Sequence, residues 1–381
     1  MNHIILSLQI FLLLCSFSYS IKTKHTSIFS FGDSYTDTGN AVIMYGPEKP
    51  DLWINKPPYG MTFFGHPSGR LSDGRLIIDF IAAALGLPLL PPSLAANRSF
   101  RQGANFAVAG ATALNRTFYA QAAGAAGVSV PPNNISLSDQ LGWFDAVKPS
   151  LCSSSQACKG YFAEALFVVG ELGFNDYGLM LLAGRSLGEV QSHVPRVVGM
   201  ICAATEKLIN EGGKTIVVSG LSPLGCAPGN LVFLASRNES DYEPDTGCLK
   251  NLNLLSKDHN SQLRRALTQL NGRYPGVAIT YADFFTPIVG FVASPDRYGF
   301  NGTDGALRSC CGGGGGKYNF NLTAACGMPG VGTYGDPAAY VNWDGVHLTE
   351  AAYRRIADGW LRGPYAHPSI LASGIDNVIV S

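Results

Sequence analysis

A serine hydroxyl is a weak nucleophile alone and becomes an effective one beside a base that a third group holds in place. Ser34 lies in Phe31-Gly32-Asp33-Ser34-Tyr35-Thr36-Asp37-Thr38-Gly39-Asn40, where an apolar run ends in a glycine turn before a predicted helix. Of the seven histidines, His3 lies in an apolar leader and His25 just after it, and His66, His193, His259 and His367 have no carboxylate in a helpful pattern. His347 differs. In Trp343-Asp344-Gly345-Val346-His347-Leu348-Thr349 the carboxylate of Asp344 stands three residues away, near enough to reach the imidazole across one turn and set its tautomer. Ser34, His347 and Asp344 are the expected nucleophile, base and orienting acid of an acyl transfer.

Such a reaction also needs donors aimed at the negative charge of a tetrahedral intermediate. Asn105-Phe106-Ala107-Val108-Ala109-Gly110-Ala111 leaves the Gly110 N–H unobstructed by a side chain. Gly170-Glu171-Leu172-Gly173-Phe174-Asn175-Asp176 places the Asn175 amide near a strand end. Gly110 and Asn175 are therefore expected to donate to an oxyanion, so that four separated segments must be brought together.

The elements that could do so alternate along the chain. Strands are predicted near Ser27–Phe31, Ala104–Ala109, Ala165–Gly170, Thr215–Gly220 and Val277–Ala282, each an apolar run of strand length closed by Gly, Asp or a turn. Helical spacing marks Asp73–Leu85, Leu137–Val147, Glu189–Glu211 and Leu249–Arg273, and Thr349-Glu350 opens a last helix through Leu361. This order predicts crossover units around a parallel sheet, with chemistry at the carboxyl ends of the strands. Trp53–Ser72 and Phe291–Val341 read as long Gly/Pro-rich loops suited to lining a site. No internal repeat is present.

The ordered set Phe31-Gly-Asp-Ser-Tyr-Thr-Asp-Thr-Gly-Asn40, Pro57-Pro-Tyr-Gly60 with Gly69-Arg-Leu-Ser-Asp-Gly-Arg75, Asn105-Phe-Ala, Gly173-Phe-Asn-Asp176 and Asp344-Gly-Val-His347 resembles the plant-type GDSL esterase/lipase family of SGNH hydrolases. The resemblance spans nearly the whole chain after its leader. It implies a flavodoxin-like three-layer α/β/α sandwich with a central, mostly parallel five-stranded sheet. It also implies Ser34 as nucleophile, the Ser34 N–H with Gly110 and Asn175 as oxyanion hole, and Asp344 with His347 completing the site. Tyr35 stands where the family has Leu, a departure expected to leave the chemistry untouched.

Other motifs fail on their own terms. Cys311 to Tyr318 mimics a phosphate loop but lacks its first glycine, has Tyr318 in place of Ser/Thr and follows no strand. Neither a GxSxG elbow nor an HExxH pair occurs, and the cysteines lack zinc-site partners, so no metal and no cofactor are expected.

Composition sets the class and the compartment. The 381 residues are 46% hydrophobic and carry zero formal net charge, with 14% charged residues where about 25% is usual, which supplies a large core and excludes an electrostatic nucleic-acid binder. Residues 1–20 contain no Lys, Arg, Asp or Glu, run apolar from Ile4 to Leu14 interrupted only by Ser7 and Gln9, and end in Ser18-Tyr19-Ser20, the small-residue pattern of a secretory cleavage site. A membrane anchor would need a longer span, and no later run is long enough to cross a bilayer. Residues 21–381 then form a single hydrolase domain with long loop insertions.

Asn97, Asn115, Asn134, Asn238, Asn301 and Asn321 each begin an acceptor sequence for N-glycosylation. Eight cysteines remain beyond Cys15, an even number suited to an oxidising compartment. Cys226 with Cys248, one of Cys310 or Cys311 with Cys326, and Cys152 with Cys158 are close enough in sequence to pair, while Cys202 in an apolar helical stretch suits a buried thiol; connectivity stays open.

The expected function is a secreted serine esterase working through an acyl-enzyme on a small-molecule or glycan ester. The related branch that includes sinapine and alkaloid acetyl esterases suggests a short, acetyl-type acyl group on a plant metabolite or cell-wall sugar. The Tyr59–Phe64 segment and the long loops are expected to line the pocket. An acyltransferase, a long-chain lipase and a non-catalytic binding protein are the alternatives, and the intact constellation argues against the last. The cell wall or apoplast is the expected destination, with the vacuole or another endomembrane compartment open, as is the oligomeric state.

Overall fold

The strands β1 (Ser27–Phe31), β2 (Gly103–Asn105), β3 (Ala165–Val169), β4 (Thr215–Ser219), β5 (Ala278–Ala282) and β6 (Ala366–His367) form one sheet in the order β2-β1-β3-β4-β5-β6. The computed structural model describes residues 25–48, 52–123, 135–301 and 306–373. The apolar leader 1–20 and Asn134 lie outside these. The first five strands pair in parallel, and β6 runs antiparallel to β5.

Every residue of β1, β3 and β4 is buried, because helices cover both faces of the sheet. On one face Phe29 and Phe167 meet Phe144 and Phe162 from the helices Leu137–Val147 and Ser155–Ala163, at centroid distances of 5.2–5.9 Å. Val168, one residue along β3, faces the opposite layer, where Ile77, Ile78 and Ile81 of the helix Ile77–Ala84 and Trp360 of Glu350–Arg362 close over the sheet. The result is a three-layer α/β/α sandwich.

The structure departs from the sequence expectations at element ends. The sheet has a sixth strand, two residues long, too short to leave a periodic signal. β2 stops at Asn105 because the Asn105 side chain accepts from the Ala107 N–H and donates to the Thr36 carbonyl, which turns the chain across the end of β1. The helix expected from Asp73 starts at Ile77, since Asp73 is engaged instead by the Glu350 N–H and the Thr62 hydroxyl. The helix expected over 189–211 is two, Leu187–Ser192 and Val194–Asn210, broken at His193 with Pro195 in the first turn of the second.

Disulfides join Cys152 to Cys158, Cys226 to Cys248 and Cys311 to Cys326. Cys310 is the buried free thiol; Cys202, expected to be buried, is partly exposed. Among the described residues no helix is long and apolar enough to cross a membrane.

Candidate active site

The carboxyl ends of β1 and β3 approach so closely that a Cβ on Gly32 would stand 3.2 Å from the Gly170 Cα, and Gly32 itself has φ +143°, which a side chain disfavours. Gln140 locks this turn, accepting from the Gly32 N–H at 2.9 Å and donating to its carbonyl at 2.7 Å. Ser34 follows at once, on a tight turn in which the Asp33 carbonyl accepts from the N–H groups of Thr36 and Asp37.

Two buried side chains tie the next loop to this turn. Asp37 accepts from the N–H groups of Gly39, Asn40, Ala41 and Ala109, and Asn40 donates to the carbonyls of Asn105 and Ala107. Burial pushes the Asp37 carboxyl up to about 6 against the pull of those four donors. The segment 105–111 is thereby held over Ser34, with Gly110 at φ +82°. The N–H groups of Ser34 and Gly110 have no hydrogen-bond partner among the described residues.

His347 arrives from the far end of the chain. Its Nδ1 meets Asp344 Oδ2 at 2.8 Å and Oδ1 at 3.0 Å, and its Nε2 is buried with no partner among the described residues. Asp344 also accepts from the N–H groups of Val346 and His347 and from the Tyr59 hydroxyl at 2.7 Å. Burial opposes ionisation there, but the His347 charge and these donors hold the Asp344 carboxyl below its ordinary range. Gly345, between the two, has φ +100° and packs so tightly that an added Cβ would overlap the Phe320 ring.

A cavity of about 480 Å³ has Ser34, Gly110, Asn175 and His347 in its wall. The expected site residues are thus gathered on one surface, with Asp344 behind His347. The rest of the wall is chiefly apolar and includes Leu52, Trp53, Ile54, Leu71 and Leu322. Asn175 is not a free donor. Its Nδ2 lies 3.0 Å from Asp33 Oδ2 and 2.9 Å from the Ala111 carbonyl, so an oxyanion would have to share one of two engaged hydrogens.

Three features run against or beyond expectation. None of Tyr59–Phe64 lines the cavity: Tyr59 is fully buried beneath Asp344 and Met61 and Phe63 are exposed, so residues 52–54 supply the wall instead. Tyr35 is not neutral to the site, since its hydroxyl donates to the Val346 carbonyl at 2.8 Å and its ring sits edge-on to His347 at 5.5 Å. Asp33 and Glu171 form a buried carboxyl pair behind Asn175. Within the sequence Tyr59 and Glu171 were visible only as members of motifs, with nothing in their spacing to state a role.

A mostly parallel sheet of this order, with such a cavity at the carboxyl ends of β1 and β3, is the arrangement of an α/β hydrolytic enzyme. Residues 28–360 match the model of the GDSL-like lipase/acylhydrolase family, and the chain belongs to that family. It is similar to a GDSL esterase/lipase of Arabidopsis thaliana, 43% identical over 95% of this chain and 98% of the relative, and to another from the same plant at 45% over 92% and 91%. It is also similar to the sinapine esterase of Brassica napus, 43% identical over 93% of this chain and 89% of that protein. The chain is a carboxylic ester hydrolase.

Proposed function

We propose that hydrolysis proceeds through an acyl-serine at Ser34. The observation that carries this is His347, whose Nδ1 is bound to a buried carboxylate while Nε2 is unpartnered in a cavity wall shared with Ser34 and two unpaired N–H groups. Ser34 Oγ attacks the ester carbonyl carbon as its proton passes to His347 Nε2, and Asp344 stays ionised and steadies the imidazolium. The carbonyl oxygen, now negative, takes the N–H groups of Ser34 and Gly110 and a share of the Asn175 amide. Collapse breaks the bond to the alcohol, which leaves with the proton from His347. Water then gives a proton to His347 as it attacks the acyl carbon, and the bond to Ser34 Oγ breaks as His347 returns that proton to the oxygen, releasing the acid. The cycle needs no cofactor.

The substrate we assign is an ester with a short, acetyl-type acyl group. An acetyl group fills little of a 480 Å³ cavity, which leaves most of it to the alcohol half. Walls built from Leu52, Trp53, Ile54 and Leu71 favour an apolar plant metabolite over a cell-wall sugar, whose hydroxyls need polar partners. The naming of the Brassica relative for one defined compound, sinapine, supports a small-molecule ester. Turnover of p-nitrophenyl esters of increasing chain length should be greatest for the shortest acyl groups. A maximum at long chains would make the enzyme a lipase, and ester formation with an added alcohol would make it an acyltransferase.

The same proposal places residues 21–381, as one glycosylated hydrolase domain, in the secretory pathway and then the cell wall or apoplast. Three disulfides support an oxidising compartment. Asn97, Asn115, Asn238, Asn301 and Asn321 are exposed, as glycan acceptors must be. Expression through a secretory pathway should yield a species that loses mass on deglycosylation and lacks Met1; a cytosolic, unglycosylated product would overturn it.

A further inference from the structure

Asp33 and Glu171 are 0% and 1% exposed, and their carboxyl groups are close enough for each to act on the other's ionisation. Among the described residues no Lys or Arg pairs with either. An ionised carboxylate only accepts, so two of them buried side by side with no cation would repel unless one keeps its proton. Its location follows from the partners. Asp33 Oδ1 accepts from the Tyr35 N–H at 3.0 Å and Oδ2 from Asn175 Nδ2 at 3.0 Å, which favours its charged form. Glu171 has one such donor, the Phe174 N–H at 3.2 Å on Oε1, while Oε2 is buried with no donor directed at it. Oε2 is the oxygen left to carry the proton.

We propose that Glu171 is a neutral acid that donates to Asp33, and that the pair is a positioning device for the Asn175 amide; this rests on the acyl-serine mechanism above. The Asp33 carboxylate and the Ala111 carbonyl are both acceptors, so together they force Nδ2 of Asn175, and not Oδ1, onto their side. A bare Asp33 charge would hold that amide tightly and oppose a neighbouring oxyanion. With Glu171 sharing the charge, Asp33 holds one hydrogen of Asn175 loosely enough to be shared as the oxyanion forms. Burial, reinforced by the Asp33 charge, pushes the Glu171 carboxyl well up, in keeping with this assignment. The other groups that face the pair are Asp176, His347, Tyr35, Tyr177 and Tyr353.

Three variants test it, with Ser34→Ala as the separate check on the underlying mechanism. Glu171→Leu removes the donor and should lower kcat by roughly 10- to 100-fold with KM little changed, since a strengthened oxyanion contact acts in the transition state. Glu171→Gln keeps an N–H for Asp33 and an oxygen for the Phe174 N–H, and should rescue kcat to within a few-fold of the parent. Glu171→Leu added to Asn175→Ala should cost nothing further, because residues acting through one group are non-additive. An infrared difference spectrum of the parent against Glu171→Gln at neutral pH should contain the C=O band of a protonated carboxyl, whether or not the Leu variant folds. Absence of that band, failure of Gln to rescue, or additive losses would each overturn the proposal. Retained activity in Ser34→Ala would instead remove the mechanism on which it stands.

Discussion

Tyr59 and His347 meet the same atom, Asp344 Oδ2, the phenol at 2.7 Å and the imidazole Nδ1 at 2.8 Å. Tyr59 is fully buried, and burial together with the Asp344 charge keeps its hydroxyl protonated and donating. Tyr59→Phe should therefore destabilise the fold by about 1.5–3 kcal/mol, the range for a hydrogen bond to a charged group. The carboxylate, with one donor fewer, would hold imidazolium more strongly, so the ascending limb of kcat/KM should move to higher pH. An unchanged pH profile with unchanged stability would show the contact to be idle. Asp344→Asn is the larger lesion and should lower kcat by up to about 10⁴.

Ser34→Ala removes the atom that forms the covalent bond. Triad members act as a unit, so kcat should fall by roughly 10³–10⁶, leaving only what binding and oxyanion donors supply. Turnover above a tenth of the parent's would end the assignment of Ser34 as nucleophile.

Asn175→Ala should lower kcat by roughly 10²–10³ and move KM far less, as expected of one oxyanion donor. Asn175→Asp should be at least as harmful, since it sets a second carboxylate 3.0 Å from Asp33 where the structure has an amide donor. A loss confined to KM would mean that Asn175 binds substrate and nothing more.

His259, which does not line the cavity, gives a stability test. Its Nδ1 lies 2.8 Å from the Tyr177 hydroxyl, and burial lowers its ionisation to about 3. An unfolded histidine titrates near 6.5, so the unfolded chain binds a proton that the folded one refuses between those values. The contribution is intact above pH 6.5 and is lost as pH falls towards 3, to the order of 5 kcal/mol at the acid end. Denaturant unfolding of His259→Gln should fall off less steeply than the parent below pH 6.5, with esterase turnover at neutral pH largely kept. Equal slopes would place the proton elsewhere.

The order of strands and helices was legible because β1, β3 and β4 are nearly continuous apolar runs and each long helix repeats its apolar positions at helical spacing, whereas the apolar run that marked β2 lies just beyond it. Leu137–Val147 matched residue for residue, and β1 likewise. Asp344 and His347 were also readable, since three residues of one turn bring them together whatever surrounds them. Ser34, Gly110 and Asn175 could be picked by type and by their place after strands, and it took the register of β1 beside β2 and β3 to set them on one wall.

Tertiary structure alone decided what stands behind that wall. Tyr59 and Asp344 are 285 positions apart, Asn175 and Asp33 142, and Tyr35 and Val346 311. No local periodicity encodes contacts of that separation. They exist because the sheet brings the strand ends within reach and because burial leaves Asp33, Asp344, Tyr35 and Tyr59 no solvent to turn to, so that each finds its partner in whatever segment the fold delivers.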